Sequence, residues 1–109
     1  MCELQSVFRA LADTRRRAAL SCLQKHQTVF LPDLAEHVAE QERGTDVTTI
    51  SEEWVRDVYF SLYHKHVPRL EEANLVQYEQ SDDVVVKTDR VGEALMEVRE
   101  AVDSLRQTS

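Results

Sequence analysis

The stretch WVRDVYFSLYHKHVPRLEEANLVQYE, residues 54–79, decides the fold. Val55, Val58, Tyr59, Leu62 and His66 recur at three- and four-residue steps, which makes one apolar stripe on a helix. Arg56, Asp57, Phe60, His64 and Lys65 fall on the other faces. Pro68 lacks a donor N–H and biases Val67 away from helical angles, so a helix over 52–66 is predicted to break near it. One more helical turn is expected over 69–73, with Asn74 taking the left-handed position that ends it. Leu75 to Tyr78 then alternates like a strand, Ser81, Asp82 and Asp83 have turn composition, and Val84 to Thr88 reads as the returning strand.

A helix, a tight stop and a hairpin, in that order, resemble the recognition helix and wing of a winged helix-turn-helix. The junction Leu70-Glu71-Glu72-Ala73-Asn74-Leu75-Val76, followed by Tyr78 and Glu79, is similar to the Leu-x-x-Ala-Gly-Leu-Val junction of such proteins, with Asn74 in place of Gly. Upstream, the run from Ala10 through Arg15, Arg16 and Arg17 to Leu20 resembles the opening of ArsR-like winged-helix regulators. The insertion Glu42-Arg43-Gly44-Thr45 and the run from Ser51 through Tyr59-Phe60-Ser61-Leu62-Tyr63 to Ala73 resemble a DUF7344-like winged-helix domain family of halophilic archaea. That likeness spans about residues 7–90. It implies a transcription regulator and supplies neither an operator nor a ligand.

The rest of the chain fits around this unit. Leu4, Val7, Phe8 and Leu11 form the stripe of a first helix. Asp13 is suited to cap a second, from Thr14 to about Gln24, with Ala18, Ala19, Cys22 and Leu23 inward. Thr28 to Leu31 is a short β-prone run that can join the hairpin. Pro32 opens a third helix, with Asp33 in its first turn and Leu34, Ala35, Val38 and Ala39 inward. Residues 41–51 are polar and longer than the usual turn of the motif, as an ordered loop or a flexible insertion. Ser51, or Thr49 with Glu52, caps the long helix. Val91, Leu95, Val98, Val102 and Leu105 recur as a heptad seam on a tail helix over 89–107. Two heptads are too few for an isolated coiled coil, so the seam packs on the domain or, the favoured reading, on a second copy. Leu4 and Phe8 of the first helix belong to the same expected dimer surface. The expected architecture is therefore α+β, mostly α. It is one domain over 1–109: a winged core over 1–88 with its wing at 75–88, plus extra N- and C-terminal helices.

Charge complicates the functional reading. The 109 residues carry 20 Asp and Glu against 13 Lys and Arg, a formal −7, where a DNA-binding domain is expected to be basic. Acid-rich and lysine-poor composition fits a very salty cytoplasm, in which net charge maintains solubility. The net-positive region is 1–26, where Arg9, Arg15, Arg16, Arg17 and Lys25 face only Glu3 and Asp13. The arginine run is expected to pair with acids of neighbouring helices, with phosphate contact as the alternative. No apolar run of about 18 residues suggests a membrane span, and two cysteines without a leader suggest a reducing cytoplasm. Cys22 reads as a small buried hydrophobe, and Cys2 as a terminal thiol.

No enzyme constellation is visible: two glycines make no phosphate loop, and there is no Cys-x-x-Cys. His64 and His66, two apart on a helix, diverge and share no metal ion easily. No cofactor and no metal are expected, with His66 buried and hydrogen-bonded and His64 exposed. The expected function is a dimeric, double-stranded-DNA-binding regulator that reads DNA with helix 52–66 and the wing. Its DNA contacts would be Arg56, Ser61, His64 and Lys65 on the helix, Arg69 after the proline, and Lys87 and Arg90 at the wing. Glu52, Glu53 and Asp57 oppose that reading, and exposed Trp54 and Phe60 would suit a protein partner instead. A protein-binding module with an acidic surface is the alternative.

Overall fold

The computed structural model describes residues 3–107, with the side chains of 5–106. The chain begins with helix α1 (Glu3–Ala10), turns at Ala12–Asp13, and enters α2 (Thr14–His26). Asp13 caps α2 as expected: its Oδ1 accepts the Arg15 amide at 2.8 Å. Strand β1 (Thr28–Phe30) runs directly into α3 (Leu31–Arg43), which has Pro32 in its first turn. Gly44 ends α3 at φ 66°, donating its amide to the Glu40 carbonyl.

The polar stretch after α3 is ordered rather than loose. Asp46 caps a 3₁₀ turn over Val47–Thr49, and Glu40 Oε2 accepts the Val47 amide at 2.9 Å. Ser51 then caps α4 (Glu52–Ser61), its Oγ accepting the Trp54 amide at 3.1 Å.

The helix does not break at Pro68. It continues from α4 through a π-helical turn (Leu62–His66) into α5 (Val67–Glu72). A proline removes one backbone hydrogen bond and crowds the carbonyl four residues earlier, here that of His64. The widened turn relieves that crowding without ending the helix. Asn74 stops α5 in the left-handed region at φ 62°. Leu75 donates its amide to the Leu70 carbonyl at 3.0 Å and Asn74 to that of Glu71 at 2.9 Å, the paired bonds of a Schellman stop. An Asn74→Val protein is expected to lose about 1–2 kcal/mol, because a β-branched residue resists positive φ. Asn74→Gly should lose nothing, and urea denaturation of both variants checks the pair.

Strands β2 (Val76–Glu79) and β3 (Val84–Lys87) form a hairpin, and β1 pairs with β3 on its other side, all antiparallel. The register sets Val85 opposite both Val29 and Tyr78. Thr88 ties the hairpin back to the Asn74 turn, its Oγ1 donating toward the Asn74 carbonyl at 2.7 Å and accepting the Arg90 amide at 3.2 Å. Helix α6 (Arg90–Gln107) follows. The fold is α+β and mostly α, with one small antiparallel sheet.

The core lies where α2, α3, α4 and α5 meet the sheet, and Leu23, Leu31, Leu34, Leu62, Leu70 and Leu75 are its largest fully buried side chains. Burying each leucine stabilises the fold by about 2–3 kcal/mol. Val58, Leu62 and His66 of the opening stretch are buried, and Val55 and Tyr59 flank them, as the stripe predicted. Cys22 is buried too, which pushes its thiol pKa up and leaves it inert. Cys2 lies outside the described residues. Among those described, no helix is long and apolar enough to cross a membrane.

The tail seam divides along its length, because α6 packs against α1 at its N-terminal end. Val91, expected on a dimer surface, is 1 % exposed in this chain's own core beside Ala94, which corrects its assignment. Leu95 and Val98 pack at the core's edge, while Val102 and Leu105 lie beyond it and are exposed. Phe8 of α1 is exposed as well, and Leu4 falls outside the described side chains. The radius of gyration, 14.7 Å, exceeds the roughly 13 Å of a compact chain this long.

Candidate nucleic-acid interface

The arginine run serves the fold. Arg15 pairs with Glu42 of α3 and lies 3.9 Å from Asp57 of α4. Arg17 donates to the Leu11 carbonyl at 2.6 Å. Arg16 is buried, and its Nε donates to the Ala10 carbonyl at 2.7 Å while Nη2 donates to that of Arg9 at 3.1 Å. A guanidinium on the last carbonyls of α1 satisfies groups that the helix leaves unbonded. The expected pairing with acids is met by Arg15 alone; Arg16 and Arg17 bond instead to carbonyls at the end of α1 and its turn, so three of the five cations of 1–26 are engaged within the fold.

Arg16 also reaches the π turn. Its Nη1 lies 3.1 Å from His66 Nδ1, and a guanidinium can only donate, so Nδ1 accepts and the neutral ring carries its proton on Nε2. Burial lowers the His66 pKa below its ordinary value. Asp13, 3.9 Å away, opposes this, and the charges of Arg16, Lys65 and Arg15 reinforce it. A folded pKa below the unfolded one means the unfolded state takes up the proton first. The contribution to stability is complete above about pH 6.5 and is lost as pH falls from there toward the folded value. The Asp13 pKa is itself lowered: burial tends to raise it, but the Arg15 amide and the charges of His66 and Arg16 outweigh that. The urea midpoint is therefore expected to fall between pH 7.5 and 5.5, and His66→Gln should flatten that slope. An unchanged slope would remove His66 from the account.

The outer face of α4 is laid out by helical spacing. Glu53, Arg56, Phe60 and His64 follow one another at three- and four-residue steps opposite buried Val58 and Leu62, and all four are exposed. Phe60 is 49 % exposed and stacks on the His64 ring at 6.0 Å and 16°. Lys65 is exposed beside this row, and Ser61 is half-buried. Trp54, expected to be exposed, is half-buried under the Arg43 guanidinium, 4.9 Å from its centroid.

Of the residues assigned to DNA, the fold brings together Arg56, His64 and Lys65, with Ser61 at the edge of the group. It separates the others. Arg69 lines a crevice with Ser6, Arg9 and Glu72, against α1. Lys87 sits at the base of the hairpin, its amide bonded to the Gln27 carbonyl at 2.9 Å, and not at the tip. Arg90 pairs with Glu93 at 3.2 Å and Glu97 at 3.5 Å on its own helix, so its guanidinium is committed there. Lys87 therefore lies at the end of β3 away from the hairpin turn, and Arg90 lies in α6, outside the hairpin.

An aromatic cluster joins the helix to the hairpin, and reading residues one element at a time misses it. Tyr59 of α4 donates to Asp83 Oδ2 at 2.7 Å, and Tyr78 of β2 donates to the other oxygen of the same carboxylate. The Asp83 bond, with burial adding, pushes the Tyr59 pKa up to about 12. Burial and the same bond raise that of Tyr78. Both hydroxyls thus stay protonated and donating. Asp83 is left-handed at φ 54°, and its carbonyl accepts the Leu31 amide at 2.7 Å, so the hairpin tip is fastened to both α3 and α4. The four-residue spacing of Tyr59 and Tyr63 was the available signal; the fold supplies Tyr78 and Asp83.

This geometry defines a mostly helical α+β protein in which one exposed helix and a hairpin tip are fastened together on one side. Residues 8–86 match a family model described as a domain of unknown function (DUF7344), and the chain belongs to that family. No curated protein and no solved structure matches it.

Proposed function

We propose that the chain is a winged helix-turn-helix transcription regulator, ArsR-like and of halophilic archaeal type, that binds double-stranded DNA as a homodimer. In this reading α3 and α4 are the two helices of the motif, β2 and β3 are the wing, and the outer row of α4 enters the major groove. The observation that carries it is the uncovered row from Glu53 to His64, with Arg56 and Lys65 available to bases and phosphates and the hairpin tip latched beside it. Acidic composition fits a cytoplasm whose salt screens charge within a few ångströms. Exposed Val102 and Leu105 on the seam of α6, with Phe8 on α1, supply apolar side chains for a second copy, which would present two reading helices.

One observation favours a second reading. Phe60, in the centre of that row, is an aromatic anchor of the kind that protein interfaces use, and Glu52, Glu53 and Asp57 put negative charge on the same helix. Electrophoretic shift separates the two, using the protein's upstream region and a random duplex pool across a KCl series. A regulator shifts DNA with affinity that falls steeply with salt. No shift at any salt overturns the DNA reading in favour of a protein partner. Light scattering checks the dimer: the wild type is expected at the mass of two chains and Val102→Asp at one. A monomeric wild type would make the tail seam intrachain.

A further inference from the structure

Between α4 and the hairpin lies a cleft of about 360 Å³ lined by Tyr59, Phe60, Tyr63, Tyr78, Gln80 and Asp83. Its lining is four aromatic rings, one carboxylate and one amide. The rings brace one another edge to face: Tyr59 on Phe60 at 5.5 Å and 83°, and Tyr63 on Tyr78 at 5.9 Å and 78°. Gln80 Nε2 lies 3.5 Å from the Tyr63 hydroxyl, so the amide closes the hairpin side. We propose that this cleft binds a small organic cation bearing a quaternary ammonium group.

Three properties select that ligand. Aromatic ring faces attract a cation through their quadrupole, and recognition of quaternary ammonium by aromatic groups is the established use of that force. The hydroxyls of Tyr59 and Tyr78 donate to Asp83, which moves electron density toward their rings and strengthens the attraction. Asp83 itself has two tyrosine donors and no ion-pair partner among the described residues, so its charge is uncompensated at the cleft.

The surroundings push the same way. Residues 76–87 hold Glu79, Asp82 and Asp83 against Lys87, and residues 52–66 hold Glu52, Glu53 and Asp57 against Arg56 and Lys65. Arg56 lines the neighbouring groove, which shares Tyr59 and Phe60 as a wall and is not part of this lining. An inorganic cation keeps its water and gains little from a ring face, whereas a methylated ammonium is weakly hydrated and fits both ring and carboxylate. The volume admits a free ligand of choline's size. The cleft lies within the face that the proposed reading gives to DNA, and its readout, ligand contact with named rings, does not depend on that reading.

The test is NMR of the aromatic side chains of the whole protein, titrated with choline at fixed ionic strength. Its neutral isostere, 3,3-dimethylbutan-1-ol, and a trimethyl-lysine peptide are run in parallel. Choline is expected to shift the rings of Tyr59, Phe60, Tyr63 and Tyr78 saturably, and the isostere to bind about tenfold more weakly or worse. Phe60→Leu and Asp83→Asn should each weaken choline about three- to tenfold. Phe60 is exposed, so its variant tests the site even where Asp83→Asn disturbs the hairpin. Equal binding of the isostere, no saturable shift, or full choline affinity in Phe60→Leu overturns the proposal. A peptide that binds more than tenfold better than choline overturns the free-ligand assignment.

Discussion

An Arg16→Met protein is expected to be less stable than wild type by about 2–4 kcal/mol, with melting lowered by roughly 10–20 °C. The substitution keeps an apolar stem of similar reach and removes the guanidinium. The Ala10 carbonyl and His66 Nδ1 then lose the guanidinium donor, and the Arg9 carbonyl keeps only the Ala12 amide at 3.3 Å. Each buried group left unsatisfied costs about 1–3 kcal/mol, which is large against a total stability of about 5–15 kcal/mol. Arg16→Lys should recover little, because one ammonium cannot reproduce a planar fork that serves three acceptors. Because α1 is held by this side chain and packs on α6, loss of Arg16 should also release α1 early, seen as faster amide exchange over 5–11 than over α3. A loss below 1 kcal/mol would mean that methionine packing suffices and that the hydrogen bonds are incidental.

The second large effect concerns binding. In the proposed DNA reading, Arg56→Glu combined with Lys65→Glu is expected to weaken duplex binding about 100-fold or more, from two contacts of about 1–3 kcal/mol each and the repulsion that replaces them. Both side chains are exposed, so the melting temperature should stay close to that of wild type. Lys87→Glu serves as the contrast: it lies at the base of the hairpin and should change affinity little. Equal losses in the two proteins would mean that binding follows net charge and not the α4 face.

What could be read from the chain beforehand follows from which signals are local. The stripe from Val55 to His66, the Asp13 cap, the left-handed Asn74 and the hairpin with its four-residue turn are each set by neighbours within a few residues, and the expected α+β, mostly helical architecture follows from them. Pro68 was misleading because its local bias against helix is met by a π turn, which only a helix fixed by packing on both sides supports. Burial of His66 was legible from the stripe, but its partner Arg16 was not, since 50 residues of chain separate them. The heptad seam reads evenly along α6, yet the first of its residues is taken by the core, because helix periodicity does not say where a neighbouring surface ends. Likewise, the aromatic cluster needs the hairpin folded onto α4 before Tyr59, Tyr78 and Asp83 become a group.

The central claim is that the outer row of α4 and the tip of the hairpin together meet the partner. A backbone and side-chain NMR shift map on a duplex selected from a random pool tests it most directly. Perturbations concentrated over 53–65 and 78–84, with α1 and α6 silent away from the proposed dimer contact, are the predicted result. A map centred on the Arg69 crevice or on the far face of α2, or a selection that recovers no duplex at all, would contradict it.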